Sequence, residues 1–148
     1  MKKIAIILFI SLLSWSSFSQ HHEKRQKIKA LKVAFITERL ALTETEAQKF
    51  WPIYNAYESK KDMHRRTSYN KQQQISEDMS EANAKILLND LITLEKDRQN
   101  TRIEYNQNLL KVLPAKKIIK LRIAEDEFNI KMLEEYKKRQ KDPTHKNP

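Results

Sequence analysis

The chain predicts an all-α fold of about four helices. Three features point there: the 148 residues include no glycine, apolar residues recur at the helical period in successive stretches, and the breaks between stretches carry capping residues or a Leu-Pro step. One compact unit over residues 20–140 fits this length better than two independent domains.

The first helix is expected over Glu23–Ala41, with Ile28, Leu31, Phe35 and Leu40 near one face and Lys24, Arg25, Lys29 and Lys32 elsewhere. At Leu42-Thr43-Glu44-Thr45-Glu46 the pattern breaks. The Thr43 hydroxyl can cap the next helix while Glu46 reaches back to the Thr43 amide, forming a capping box. The second helix is expected from Glu44 to about Ser68, burying Ala47, Phe50, Trp51, Tyr54 and Tyr57. Pro52 lies inside it, where the missing amide and the ring's bulk favour a kink near Gln48 to Pro52.

Tyr69 to Met79 is polar, rich in Gln, and reads as a loop or frayed helix end. Ser80 can cap a third helix reaching about Val112. Leu87, Leu88, Leu91 and Leu94 form its early apolar face, and Tyr105, Leu109 and Val112 its late one. Between them Glu95 to Asn108 offers only Ile103 and Tyr105 as large apolar residues, too few to cross a thick core. Leu113-Pro114 marks the last boundary, since Pro suits a first turn and not a helix interior. The fourth helix should run to about Arg139, with Ile118, Leu121, Phe128, Met132 and Tyr136 on its apolar face. Glu127/Lys131, Glu134/Lys138 and Glu135/Arg139 are its expected i,i+4 pairs. Residues 141–148 read as a disordered tail.

Composition removes several chemistries. Phosphate-cradling P-loops, dinucleotide-binding turns and the nucleophile elbow of hydrolases rely on glycine for close backbone approach or positive φ. The absence of cysteine excludes a thiol nucleophile, a disulfide framework, a thiolate zinc site and a lipoprotein acylation site. No catalytic constellation remains, and no enzyme is expected. Lys plus Arg exceed Asp plus Glu by ten, which favours anionic partners: nucleic acid, a membrane surface, or acidic and unfolded polypeptide.

Location chooses among them. Lys2 and Lys3, an apolar run from Ile4 to Leu13, and Ser16, Ser17 and Ser19 outline a secretory signal peptide over residues 1–19. Cleavage after Ser19 leaves Gln20 first and a net charge of +8 once Lys2 and Lys3 are gone. The apolar run is shorter than the roughly 20 residues of a spanning helix. A periplasmic protein with no membrane span after processing is the expectation, and a basic nucleic-acid-binding helical protein is the alternative if the chain is not exported.

The stretch Leu42-Thr43-Glu44-Thr45-Glu46-Ala47-Gln48-Lys49-Phe50-Trp51-Pro52-Ile53-Tyr54 resembles the LTxxQ signature of the Spy/CpxP-like periplasmic proteins. It is closest to the branch labelled sensors of ECF-type sigma factors or periplasmic heavy-metal sensors. Leu42 and Thr43 match, and Glu46 stands for Gln, which serves equally in a capping box. At the second signature copy, Leu113-Pro114-Ala115-Lys116-Lys117 keeps the Leu, with Pro for Thr and Lys for Gln. The resemblance covers most of the chain in helix order and implies an antiparallel homodimer of curved helical hairpins with a cradle-like concave face. Independently, two helices each longer than about 35 Å in so short a chain make a thin layer. A thin layer leaves apolar surface that a second copy would cover.

The candidate sites follow. Thr43 and Glu46 read as a family motif or, more simply, as a helix cap. Lys60, Lys61, His64, Arg65 and Arg66, extended by Arg98 and Arg102, form a basic patch that would attract acidic or unfolded chains or else be a solvated helix face. Trp51, Tyr54 and Tyr57 are client-binding aromatics or, on their helical spacing, core. If Gln20 is the free terminus, its amine, two backbone nitrogens and His22, with His21 adjacent, can hold Cu or Ni in a square plane; cyclisation of Gln20 would destroy that site. His64 and His145 are isolated, and no other cofactor is expected.

The leading expectation is a chaperone-like or stress-sensing accessory protein that binds unfolded or envelope polypeptide. The alternative is a Cu, Ni or Zn sensor acting on an anti-sigma factor or sensor kinase.

Overall fold

The structure, a computed structural model, describes residues 16–141, with side chains over 23–140. Residues 1–15 of the expected leader and 142–148 of the expected tail lie outside the described residues, as do the side chains of His21 and His22 and all of His145. Among the described residues there are four helices and no strand: α1 Ser16–Arg39, α2 Glu44–Gln72, α3 Glu81–Leu110 and α4 Ala115–Lys141. The chain folds as two units. One combines residues 16–41 and 121–141, and the other covers Leu42–Lys120.

In the first unit Ile36, Leu40, Leu121, Ala124 and Phe128 are buried. The Phe35 and Phe128 rings meet at 5.7 Å between centroids, tilted by 50°. Arg39 Nε donates to Glu127 Oε2 at 2.7 Å while its Nη2 engages Oε1, a two-pronged guanidinium–carboxylate contact. Lys131 Nζ stands 5.6 Å from the centre of the Phe35 ring. The ion pairs of α4 correct three expectations. Glu127 pairs across the sequence with Arg39 instead of with Lys131, and Glu135 binds Lys138 at 3.4 Å where pairs with Arg139 and between Glu134 and Lys138 were expected. Ile36 supplies the α1 core contact, whereas Ile28 and Leu31 are exposed. Ser16 to His22, ahead of the expected start at Glu23, are already helical, and no Pro or Gly interrupts that stretch.

Ala41 ends this unit with φ at +46°, a left-handed conformation. Helices commonly close with glycine there because its missing Cβ avoids a clash. In this glycine-free chain Ala41 takes that position, with its amide on the Glu38 carbonyl at 2.9 Å.

The second unit opens with the expected capping box. The Glu46 amide donates to Thr43 Oγ1 at 3.2 Å, and the Thr43 amide donates to Glu46 Oε2 at 2.8 Å. From there α2 runs unbroken through Pro52 for 29 residues, about 43 Å at 1.5 Å per residue. It continues past Ser68 to Gln72. The first four residues of the stretch expected as a loop or frayed helix end are therefore helical, and the Lys71–Asp90 contact at 2.6 Å ties that last turn to α3.

The two long helices run in opposite directions. Lys71 meets Asp90, His64 meets Thr101 and Lys60 meets Glu104, so rising numbers on α2 match falling numbers on α3. Phe50, Tyr54, Leu87, Leu109, Leu113 and Ile118 are the buried apolar residues of this unit. Leu88, expected beside Leu87, is exposed: consecutive residues lie about 100° apart round a helix, and only one can face α2. Pro114 precedes α4, and its carbonyl accepts from the Lys117 amide at 2.9 Å.

Candidate functional site

A row of aromatic rings organises the contact between α2 and α3. Phe50 and Tyr54 lie 5.3 Å apart, Tyr54 reaches Tyr105 at 6.4 Å, and Tyr57 stacks on Tyr105 at 3.9 Å with the planes 7° apart. The spacing of Phe50, Tyr54 and Tyr57 puts all three on the face that meets α3. Each such ring pair contributes about 0.5–1.5 kcal/mol beyond its buried area. The stack therefore fixes the local register of two helices that otherwise share few apolar residues at this level.

Two clefts share Tyr57 as a lining residue. One, of about 300 Å³, is walled by Pro52, Ile53, Ala56 and Tyr57 from α2 and by Tyr105 and Asn108 from α3, with the Lys60–Glu104 ion pair at 2.9 Å along its edge. The other, of about 170 Å³, is lined by Tyr57, Lys61, His64, Arg98, Thr101 and Arg102, with Glu95 at its rim. His64 Nε2 and Thr101 Oγ1 share a hydrogen bond at 3.2 Å, which fixes the imidazole across the cleft. Arg98 Nη1 donates to Glu95 Oε2 at 3.0 Å. Lys61 is ion-paired with Glu58 and stands 5.7 Å from the Tyr57 ring centre.

The basic residues singled out in the sequence are thus divided by helical period. Lys61 and His64, three apart, share the cleft with Arg98 and Arg102, which project from α3 one turn apart. Lys60 turns to Glu104 on the opposite edge, and Arg65 pairs with Asp62 at 3.0 Å on the exposed flank. Arg66 is exposed about 200° round the helix from His64 and belongs to neither cleft. Thr101, Glu95 and Tyr105 were not singled out as site residues. Tyr105 had a signal in the sequence, being one of two large apolar residues in the polar middle of α3.

Compared with known family models, curated proteins and solved structures, the chain finds no match.

The signature-like residues form a second cluster. Leu113 is buried, and Leu42 is half-buried. Glu46 serves its cap and also accepts from Lys117 Nζ at 2.6 Å, in surroundings where both side chains are largely shielded. The Lys117 ammonium, followed by the Thr43 amide, holds the Glu46 carboxyl below its ordinary range. Among the described residues no group of three or more His, Asp or Glu is arranged to hold a metal. No helix there is long and apolar enough to cross a membrane.

Proposed function

We propose that the chain is an exported, non-enzymatic binding protein of the Spy/CpxP-like kind, which holds unfolded or partner polypeptide in the periplasm. The observation that carries this reading is the excess of exposed apolar surface. Among the described residues fifteen large apolar side chains are exposed, against eleven buried apolar residues. Four of them, Leu88, Ile92, Ile103 and Leu110, are between 46% and 59% exposed. They recur at helical spacing along the side of α3 away from buried Leu87 and Leu109. Lys85 and Lys96 flank this stripe within one turn.

Lysines beside open aliphatic rows suit a surface that draws acidic chains by long-range attraction and then holds them by apolar contact. The resemblance at Leu42 to Tyr54 and the leader-like first nineteen residues supply the compartment. In this reading two copies pair as antiparallel, curved helical hairpins around a concave face. The outer row of α4, Ile123, Ile130 and Leu133, is spaced like the a and d positions of a heptad and provides the seam.

Light scattering from a heat-unfolding exported protein tests the proposal. Several-fold molar excess of the processed chain should delay the rise in scattering, and an unchanged curve would count against polypeptide binding.

A further inference from the structure

We propose that the cleft between Lys61, His64, Arg98 and Arg102 is a binding site for a phosphate group. The inference stands on the chemistry of the lining and is independent of polypeptide binding. Three permanent cations, Lys61, Arg98 and Arg102, line the cleft; Glu58 pairs with Lys61 and Glu95 with Arg98, which leaves a surplus of one positive charge. A phosphate anion would draw on that surplus and on the donor groups of the two paired cations. Arg102 makes no ion pair with any described residue, while its neighbour Arg98 is held at the rim by Glu95. A cation kept at a cleft without an acid partner leaves a donor fork open to an incoming anion.

Geometry favours phosphate over carboxylate. A carboxylate offers two oxygens in one plane and is satisfied by a single guanidinium fork. Here the donors come from both walls of the cleft, Lys61 and His64 on α2 and Arg98, Thr101 and Arg102 on α3, and are not confined to the plane of one guanidinium fork. A tetrahedral anion with three terminal oxygens can accept from such a set. The volume, about 170 Å³, admits one phosphate group and some water and is too small for a folded partner. Tyr57, itself stacked on Tyr105, lines the cleft, and the His64–Thr101 bond links the two helices at this level. A free phosphate and one carried on a lipid headgroup present the same chemistry to the cleft.

Calorimetric titration of the processed chain with inorganic phosphate, in low salt, tests the site. Saturable binding of one phosphate per chain is expected, with Arg98→Gln/Arg102→Gln weakening it at least about tenfold. The control Arg65→Gln/Arg66→Gln removes the same charge outside the cleft and should change affinity less than about twofold. Far-UV circular dichroism on both variants shows whether helicity is kept; Thr101→Val, which leaves every charge in place, supplies a second weakening variant. Vesicles containing phosphatidic acid form the other arm. Vesicle binding that is lost in Arg98→Gln/Arg102→Gln assigns a lipid source, and phosphate binding without vesicle binding assigns a free one. No saturation by roughly 10 mM phosphate, a range far weaker than any specific site, overturns the proposal. Equal weakening by the two double variants overturns it as well, because the attraction would then be diffuse.

Discussion

Lys117 donates to Glu46 at 2.6 Å, and these two residues occupy the positions that carry Gln in the two LTxxQ copies that the turns resemble. Each departure taken alone weakens the likeness. Together they form one charged pair across 71 residues of sequence. Glu46 thereby joins the first turn of α2 to the first turn of α4 while also completing its own cap. Glu46→Ala should lower the melting temperature more than Glu46→Gln, because Gln keeps the cap acceptor and loses only the charge. Lys117→Met should fall between wild type and Glu46→Ala. Thermal melts of the three variants, read together, separate the two roles.

The same carboxyl sets a pH dependence. Its pKa in the folded chain lies below the ordinary 4.5, so the folded state prefers the ionised form more than the unfolded state does. That preference stabilises the fold fully above the ordinary value and is lost as pH falls through the lower, folded one. Urea midpoints measured from pH 6 downward should converge between wild type and Glu46→Gln below about pH 4. A difference that stays constant to the lowest pH would show that the Glu46 charge contributes nothing.

Tyr105 stacks on Tyr57, the residue that lines both clefts. Tyr105→Ala removes a ring from between the long helices and should cost roughly 2–4 kcal/mol in chemical denaturation. Tyr105→Phe keeps the ring and should cost much less.

Ala41 adopts φ of +46° in a chain that has no glycine. Ala41→Gly relieves the Cβ clash and should stabilise the protein by about 0.5–1 kcal/mol after the larger unfolded-state entropy is counted. Ala41→Val should destabilise it, since a branched side chain resists that conformation further. Urea unfolding of both variants reads the sign directly.

The outer row of α4 bears on assembly. If Ile123, Ile130 and Leu133 form the seam between two copies, Ile123→Glu/Ile130→Glu should shift the sedimentation coefficient to that of a monomer while helicity is retained. Identical sedimentation for variant and wild type would remove this seam from the account.

What could be read in the sequence was what depends on near neighbours. The Thr43–Glu46 cap lies within one turn, and its residue types carry its geometry. The Ser80 cap and the Leu113-Pro114 boundary are local in the same way. Leu87 and Leu88 could not be told apart, because α3 carries apolar residues on two faces and only the position of α2 selects one. The charge pairs of α4 went astray for a similar reason: a fork-shaped Arg39 contact with Glu127 competes successfully against a solvated pair within one helix. The basic run at Lys60 to Arg66 is contiguous in sequence but divided in space. Helical period alone separates Arg66 from Lys61 and His64, yet it cannot show that Arg98 and Arg102 stand opposite.

The open apolar row on α3 tests the account most directly. Leu88→Ser/Ile92→Ser/Ile103→Ser changes exposed positions, where substitutions alter stability little, so the variant should melt close to wild type. Light scattering of an unfolding exported protein should then show wild type delaying aggregation and the triple variant losing most of that delay. Equal protection by the two proteins would contradict the claim that this surface holds polypeptide.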